Sequence, residues 1–197
     1  MKLKIIIILF GIFFISCASN KNDLIFTQKW LKEVTGKDYS IEVLKSLQVL
    51  NLNETKITDG SLVHLKKLKS LKKLYLGFTK ITDAGLVNLR ELKSLQILFL
   101  GNTQITDNGL IHLKELKSLY ILLLANNKIN GSGLVNLKKL KSLEVLDLAF
   151  TNVTDVNLLH IKELRSLQKL ILASTKITKE GLKILQKALP KCDIYYN

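Results

Sequence analysis

The chain has 197 residues, 47% of them hydrophobic, with one proline, ten glycines, two cysteines and a formal net charge of +14. That length suits one domain with an aliphatic core. The low proline and glycine content excludes a collagen-like, linker-rich or disordered chain.

The first element is an export signal. Lys2 and Lys4 make a basic start, and Ile5 to Ile15 form an apolar run of eleven residues. A membrane-spanning helix needs about twenty, so residues 1–16 read as a signal peptide. Phe14-Ile15-Ser16-Cys17 resembles the lipobox of bacterial lipoproteins, where a small residue precedes the cysteine that is acylated and becomes the new N-terminus. Ile15 and Ser16 fit that pattern, while Phe14 stands where Leu, Val or Ile is usual. The resemblance implies lipid on Cys17, export, and a place in the cell envelope on the outer membrane or cell surface. The alternative is an ordinary signal peptide with an incidental cysteine. If Cys17 carries lipid, Cys192 has no disulfide partner in the chain. Removal of residues 1–16 takes away two lysines and no acid, leaving 28 basic against 16 acidic residues, or +12. Such charge attracts nucleic acid or anionic membrane, and export argues against nucleic acid.

Residues 17–23 form a polar tether, and residues 24–43 an N-terminal cap. Within the cap, Leu24, Ile25, Trp30, Leu31 and Val34 alternate with charged residues, as in an amphipathic helix that covers the open end of a repeat array. Thr35-Gly36-Lys37-Asp38 ends that helix.

Six copies of a 24-residue unit occupy 44–187, without insertion or deletion. With Leu71 as repeat position one, Leu74 and Leu76 fall at positions four and six, two apart as on one side of a strand. Leu86, Leu89 and Leu92 follow every third residue, as in a helical turn. Each copy is therefore a strand, a turn and a short helix, and stacking joins their leucines into one core. Position nine (Thr55, Thr79, Thr103, Asn127, Thr151, Thr175) supplies side chains to loop backbone. The Thr-Asp that follows supplies a helix N-cap. Asn130-Gly131-Ser132-Gly133 breaks this pattern, which predicts a looser back in repeat four, and Lys179 stands where other repeats have Asp or Gly. Residues 188–197 form a truncated repeat with Ile194 at position four and a last short strand, an ending that resembles the L-P-x-C-x-I terminus of many such arrays.

The unit L-x-x-L-x-L-x-x-T-x-I-T-D-x-G-L resembles bacterial leucine-rich repeat proteins with helical backs, related in architecture to the ribonuclease-inhibitor type. The resemblance covers Leu44 to Lys187 and the C-terminal half repeat. It implies an α/β fold: a right-handed leucine-rich repeat solenoid, or horseshoe, with a parallel sheet on the concave face and short helices on the convex face. It also implies protein binding on the concave face, although the fold hosts many functions.

His64, His112 and His160 recur every 48 residues at position eighteen, with Asn88 and Asn136 between them. Two stacking steps, roughly 10 Å, separate successive histidines. Zinc ligands lie about 2 Å from the metal, so no metal site is expected. Neither a nucleophile–base pair, a phosphate loop nor paired carboxylates emerge, and the expectation is a non-enzymatic protein without cofactor.

Strand positions three, five and seven alternate with the buried leucines and face the concave side. There Ile97, Phe99, Ile121 and Leu123 form an apolar strip, edged by Tyr75, Phe78, Phe150 and Asp147. Position seven is small (Gly77, Gly101, Ala125, Ala149, Ala173), which leaves room for a partner. Exposed aromatics are typical anchors, so these eight residues are the candidate site for a protein ligand of the envelope or of a host, bound by a monomer. Alternatively, the aliphatics merely serve strand propensity. Lysines such as Lys66, Lys114, Lys117, Lys138 and Lys162 crowd the convex back. They keep a leucine-rich chain soluble or, in a second reading, bind anionic lipid or glycan. A third reading is a structural envelope component.

Overall fold

The computed structural model describes residues 22–196; Cys17, the apolar run before it and most of the tether lie outside them. Seven three-residue strands form one parallel sheet in sequential order: β1 (Val49–Asn51), β2 (Lys73–Tyr75), β3 (Ile97–Phe99), β4 (Ile121–Leu123), β5 (Val145–Asp147), β6 (Lys169–Ile171) and β7 (Asp193–Tyr195). The register advances by one repeat per strand, so Leu50, Leu74, Leu98, Leu122, Leu146, Leu170 and Ile194 lie side by side. The leucines of this row from β2 to β6 are fully buried, as are those of position six from Leu52 to Leu172.

Behind the sheet the chain returns through 3-10 segments such as Asp59–Lys67, Asp107–His112 and Ser132–Lys139. Single α-turns interrupt them at Asp83–Leu86 (α3) and Leu158–Ile161 (α4). With three residues per turn, the leucines of positions sixteen, nineteen and twenty-two all face inward. Leu86, Leu89 and Leu92 are accordingly fully buried.

The Thr-Asp-x-Gly signature has a different logic from simple helix capping. Thr82 and Thr106 do cap, accepting from the backbone N–H of Ala84 and Asn108. The aspartates instead clasp the next repeat. Backbone N–H groups of Thr82, Thr106 and Thr178 donate to Asp59, Asp83 and Asp155 at 2.8–2.9 Å, and their hydroxyls to the same carboxylates at 2.5–2.6 Å. The glycine three residues beyond each of those threonines (Gly85, Gly109, Gly181) is the space that clasp needs, because a Cβ there would overlap the carboxylate.

Repeat four is not looser. Asp107, itself buried, accepts from the backbone N–H of Asn130, Gly131 and Gly133 at 2.7–2.9 Å. Gly131 stands at the aspartate position of that repeat, and the following repeat has Asn157 in place of the clearance glycine. The two changes fit each other, since a Cβ on Gly131 would overlap Asn157. Asn157 Oδ1 takes over the missing acceptor role, receiving Thr154 N–H at 3.0 Å and its hydroxyl at 3.1 Å. Lys179 is tolerated because no further threonine follows it to be clasped.

The ends are closed differently. A helix over residues 22–35 (α1) buries Leu24 and Leu31 against the first repeat and stacks Trp30 on His64, centroids 5.0 Å apart. Lys67 pairs with Asp23 at 2.8 Å, and the Thr27 hydroxyl, wholly buried, reaches the carbonyls of Asp23 and His64. A second helix, Ile41–Ser46 (α2), capped by Ser40, leads into β1. At the other end, Lys179–Ala188 (α5) precedes β7, and the Tyr196 hydroxyl donates to the Ile177 carbonyl at 2.7 Å. Among the described residues no helix is long and apolar enough to cross a membrane.

The exchange at Gly131 and Asn157 can be tested by a double-mutant cycle. Gly131→Asp and Asn157→Gly should each destabilise, the former also through the left-handed backbone at φ 103°, while the double variant relieves the overlap between the two side chains. In urea melts the double should be more stable than the sum of the singles by about 0.5–3 kcal/mol. Plain additivity would break the link between the two positions.

Candidate binding face

The ladder register sets Tyr75 beside Phe99, Phe99 beside Leu123, and Leu123 beside Asp147, with Ile97 beside Ile121 in the parallel row. All six are half-buried, and Phe78 and Phe150 stand out at 52% and 62% exposed. The sheet thus brings together six of the eight candidates. Phe78 joins them through an edge contact with Phe99, centroids 6.3 Å apart and planes at 74°.

One expectation is corrected here. The glycines of position seven do not leave room for a partner, because the Phe99 ring already fills it. A Cβ on either Gly77 or Gly101 would overlap that ring. Phe99 therefore lies across two repeats, its own and the preceding one, as an apolar floor.

Position eight, at the end of each strand, has a backbone that the alternation pattern does not announce. Glu54, Phe78, Asn102, Asn126, Phe150 and Ser174 all have φ between 53° and 60°. The turn is forced: the chain must leave the sheet there while its N–H still donates to the next repeat. Phe78 donates to Gly101, Asn102 to Ala125 and Phe150 to Ala173, at 2.9–3.0 Å. Asparagine tolerates this left-handed backbone, whereas a bulky residue in it is a genuine outlier. Asn102 and Asn126 also bond to each other through their side chains. Two phenylalanines thus bracket an asparagine pair, three repeats or about 14 Å apart, each in a backbone state that disfavours it. Asn at the equivalent position of neighbouring repeats was the sequence signal for it.

Asp147 sits between Leu123 and Ile171 in the register. Burial raises its pKa, while the Ala149 N–H bond at 2.9 Å and Lys169 pull it back. A raised folded pKa means that the protonated form is favoured by folding. The cost of ionisation is thus absent in acid and appears as pH rises through the carboxylate range. Lys169 lies over the Tyr195 ring at 4.5 Å.

The histidines have separate surroundings. His64 stacks on Trp30, His112 Nδ1 meets the Arg90 guanidinium, and His160 Nδ1 is buried without a hydrogen-bond partner. Burial lowers the pKa of all three. No cluster of three or more metal-ligating side chains occurs among the described residues. Burial and the neighbouring Asp193 push the Cys192 thiol up to about 11, far from the thiolate a nucleophile requires.

The left-handed sites make a stability forecast. Replacing Phe150 by Asn removes the misfit and should raise stability by about 1 kcal/mol. Phe78→Asn removes the same misfit but also the edge contact, worth about 0.5–1.5 kcal/mol, and should be close to neutral. Thermal or urea melts showing Phe150→Asn to be clearly destabilised would contradict this account of position eight.

Models of leucine-rich repeats match two segments, two copies over residues 45–88 and one over 163–185. No curated protein sequence matches the chain. Among solved structures, an internalin (InlF) of Listeria monocytogenes aligns over 75% of this chain and 39% of its own, at 28% identity and a TM-score of 0.61. A leucine-rich repeat protein of Leptospira interrogans aligns over 78% of this chain and 50% of its own, at 25% identity and a TM-score of 0.55. Internalin C2 of Listeria monocytogenes aligns over 86% of this chain and 84% of its own, at 23% identity and a TM-score of 0.59, a likeness of fold. The chain thus spans well under two thirds of the first two proteins. With its sequential parallel sheet, helical back and clasped 24-residue units, it is a leucine-rich repeat solenoid.

Proposed function

We propose that this chain is an exported leucine-rich repeat module, lipidated at Cys17, that binds a protein of the envelope or of a host through its concave face and carries out no catalysis. The observation that carries this reading is the pair of exposed phenylalanines, Phe78 and Phe150, held in left-handed backbone where asparagine would sit without strain. Strain of this kind, about 1–3 kcal/mol per residue, concentrates at functional sites. The aromatic floor of Tyr75 and Phe99 and the half-buried Asp147 lie on the same face. Seven strands about 4.8 Å apart make a face roughly 30 Å long. That accommodates the usual share of one partner in a stable interface, about 800 Å². The architecture shared with internalins is an argument from fold and adds to this reading without carrying it.

Affinity capture from envelope and host extracts tests the site. A protein that co-purifies with the wild type should be lost from the Tyr75→Ala, Phe78→Asn, Phe150→Asn triple variant and retained by Lys138→Glu with Lys139→Glu. Phe99 is a poor probe, since its loss uncovers Gly77 and Gly101. The opposite pattern would move the site to the back of the solenoid.

The anchor has its own test. Cys17→Ser should release the mature protein from the membrane fraction or leave an uncleaved precursor. An unmodified N-terminus in mass spectra of the wild type would end the lipoprotein reading.

A further inference from the structure

The convex face carries an organised strip that solubility alone does not require. Position seventeen is aliphatic in five consecutive repeats: Val63, Val87, Ile111, Val135 and Leu159, each 40–47% exposed. Three residues later, position twenty is basic in the same five repeats: Lys66, Arg90, Lys114, Lys138 and Lys162, all half-buried. Residues three apart eclipse in a 3-10 helix. In Asp59–Lys67 and Ser132–Lys139 this sets Val63 in line with Lys66 and Val135 in line with Lys138. Position twenty-three, three further on, is basic and exposed in all five repeats. No acid enters these three positions. The acids of this region, Glu91, Glu115 and Glu163, are confined to position twenty-one, in the neighbouring row.

The strip continues onto the cap. Phe26 of α1, 63% exposed, shares a shallow depression with Val63, Lys66 and Lys67. The apolar N-terminal run precedes α1 in the sequence. The strip therefore includes the element of the fold nearest along the chain to the proposed anchor.

We propose that this flank lies on an anionic phospholipid bilayer, aliphatic row in the headgroup–acyl boundary and cations against the phosphates. Half-buried lysine stems suit that boundary, and each cation near an anionic surface adds to binding. A soluble polyanion would use the cations but leave five exposed aliphatics without a role. The proposal stands on the flank itself and does not require acylation of Cys17.

The test reads position, so that anchoring through the N-terminus cannot imitate it. In the full chain, Trp30→Phe removes the only tryptophan, and Ile111→Trp or Tyr75→Trp places one on the convex or concave face. Vesicles of phosphatidylcholine and phosphatidylglycerol with brominated acyl chains should quench and blue-shift tryptophan at 111 and leave 75 unquenched. Lys114→Glu with Lys138→Glu should abolish that quenching even where the protein stays on the vesicle. Circular dichroism checks that Trp30→Phe is folded; otherwise the same difference is taken with Trp30 retained. Equal quenching at both positions, or none at 111, overturns the proposal. Heparin binding by the flank with 111 unquenched would assign it to a polyanion instead.

Discussion

Four of the six repeats hold the next by a carboxylate, that of Asp59, Asp83, Asp107 or Asp155. The aspartate of one unit accepts the backbone N–H and hydroxyl of the following threonine, and the following glycine leaves the space in which that carboxylate sits. The leucines alone would permit sliding, since one leucine layer resembles another and apolar burial is non-directional. Charge-assisted bonds to two donors at fixed geometry set the register of the convex side. The exception fits the rule, because Gly131 and Asn157 changed together within one chain.

The sequence made the spine of the fold legible. Leucines two apart in one half of the unit and three apart in the other fix strand and 3-10 helix, and a constant length of 24 residues fixes the register. It was less informative wherever the meaning of a residue lay in its neighbour one repeat away. Asp83 reads as a cap until Thr106 is seen bonded to it. The Asn130–Gly133 break reads as slack until its three N–H groups are found around Asp107. Gly77 and Gly101 read as open space because a sequence does not show where the Phe99 ring lies.

The candidate site was legible in the same uneven way. Alternation about the buried leucines identified which side chains face the concave side, and the ladder register set six of them together. The left-handed backbone of position eight was hidden, since the alternation of the strand does not specify the turn that ends it. With that backbone known, Phe78 and Phe150 change meaning. They are no longer two exposed aromatics among others, but two places where the chain keeps a residue its backbone disfavours. The bond from each N–H to the next repeat over-determines the turn and lets the misfit persist.

A constant repeat length also turns single positions into continuous rows, so the two faces can serve separate ends. Concave residues are chosen by the strand's alternation and convex ones by the three-residue turn, and neither choice constrains the other. This bears on the convex lysines. A surface that serves solubility alone is best met by interspersed charges of both signs, and added acids help more than added lysines. Here acids occur, but in the row beside the strip and never within it. An aliphatic position repeated five times beside them adds exposed apolar area, which works against solubility. The two features together are what the proposed contact with an anionic bilayer requires.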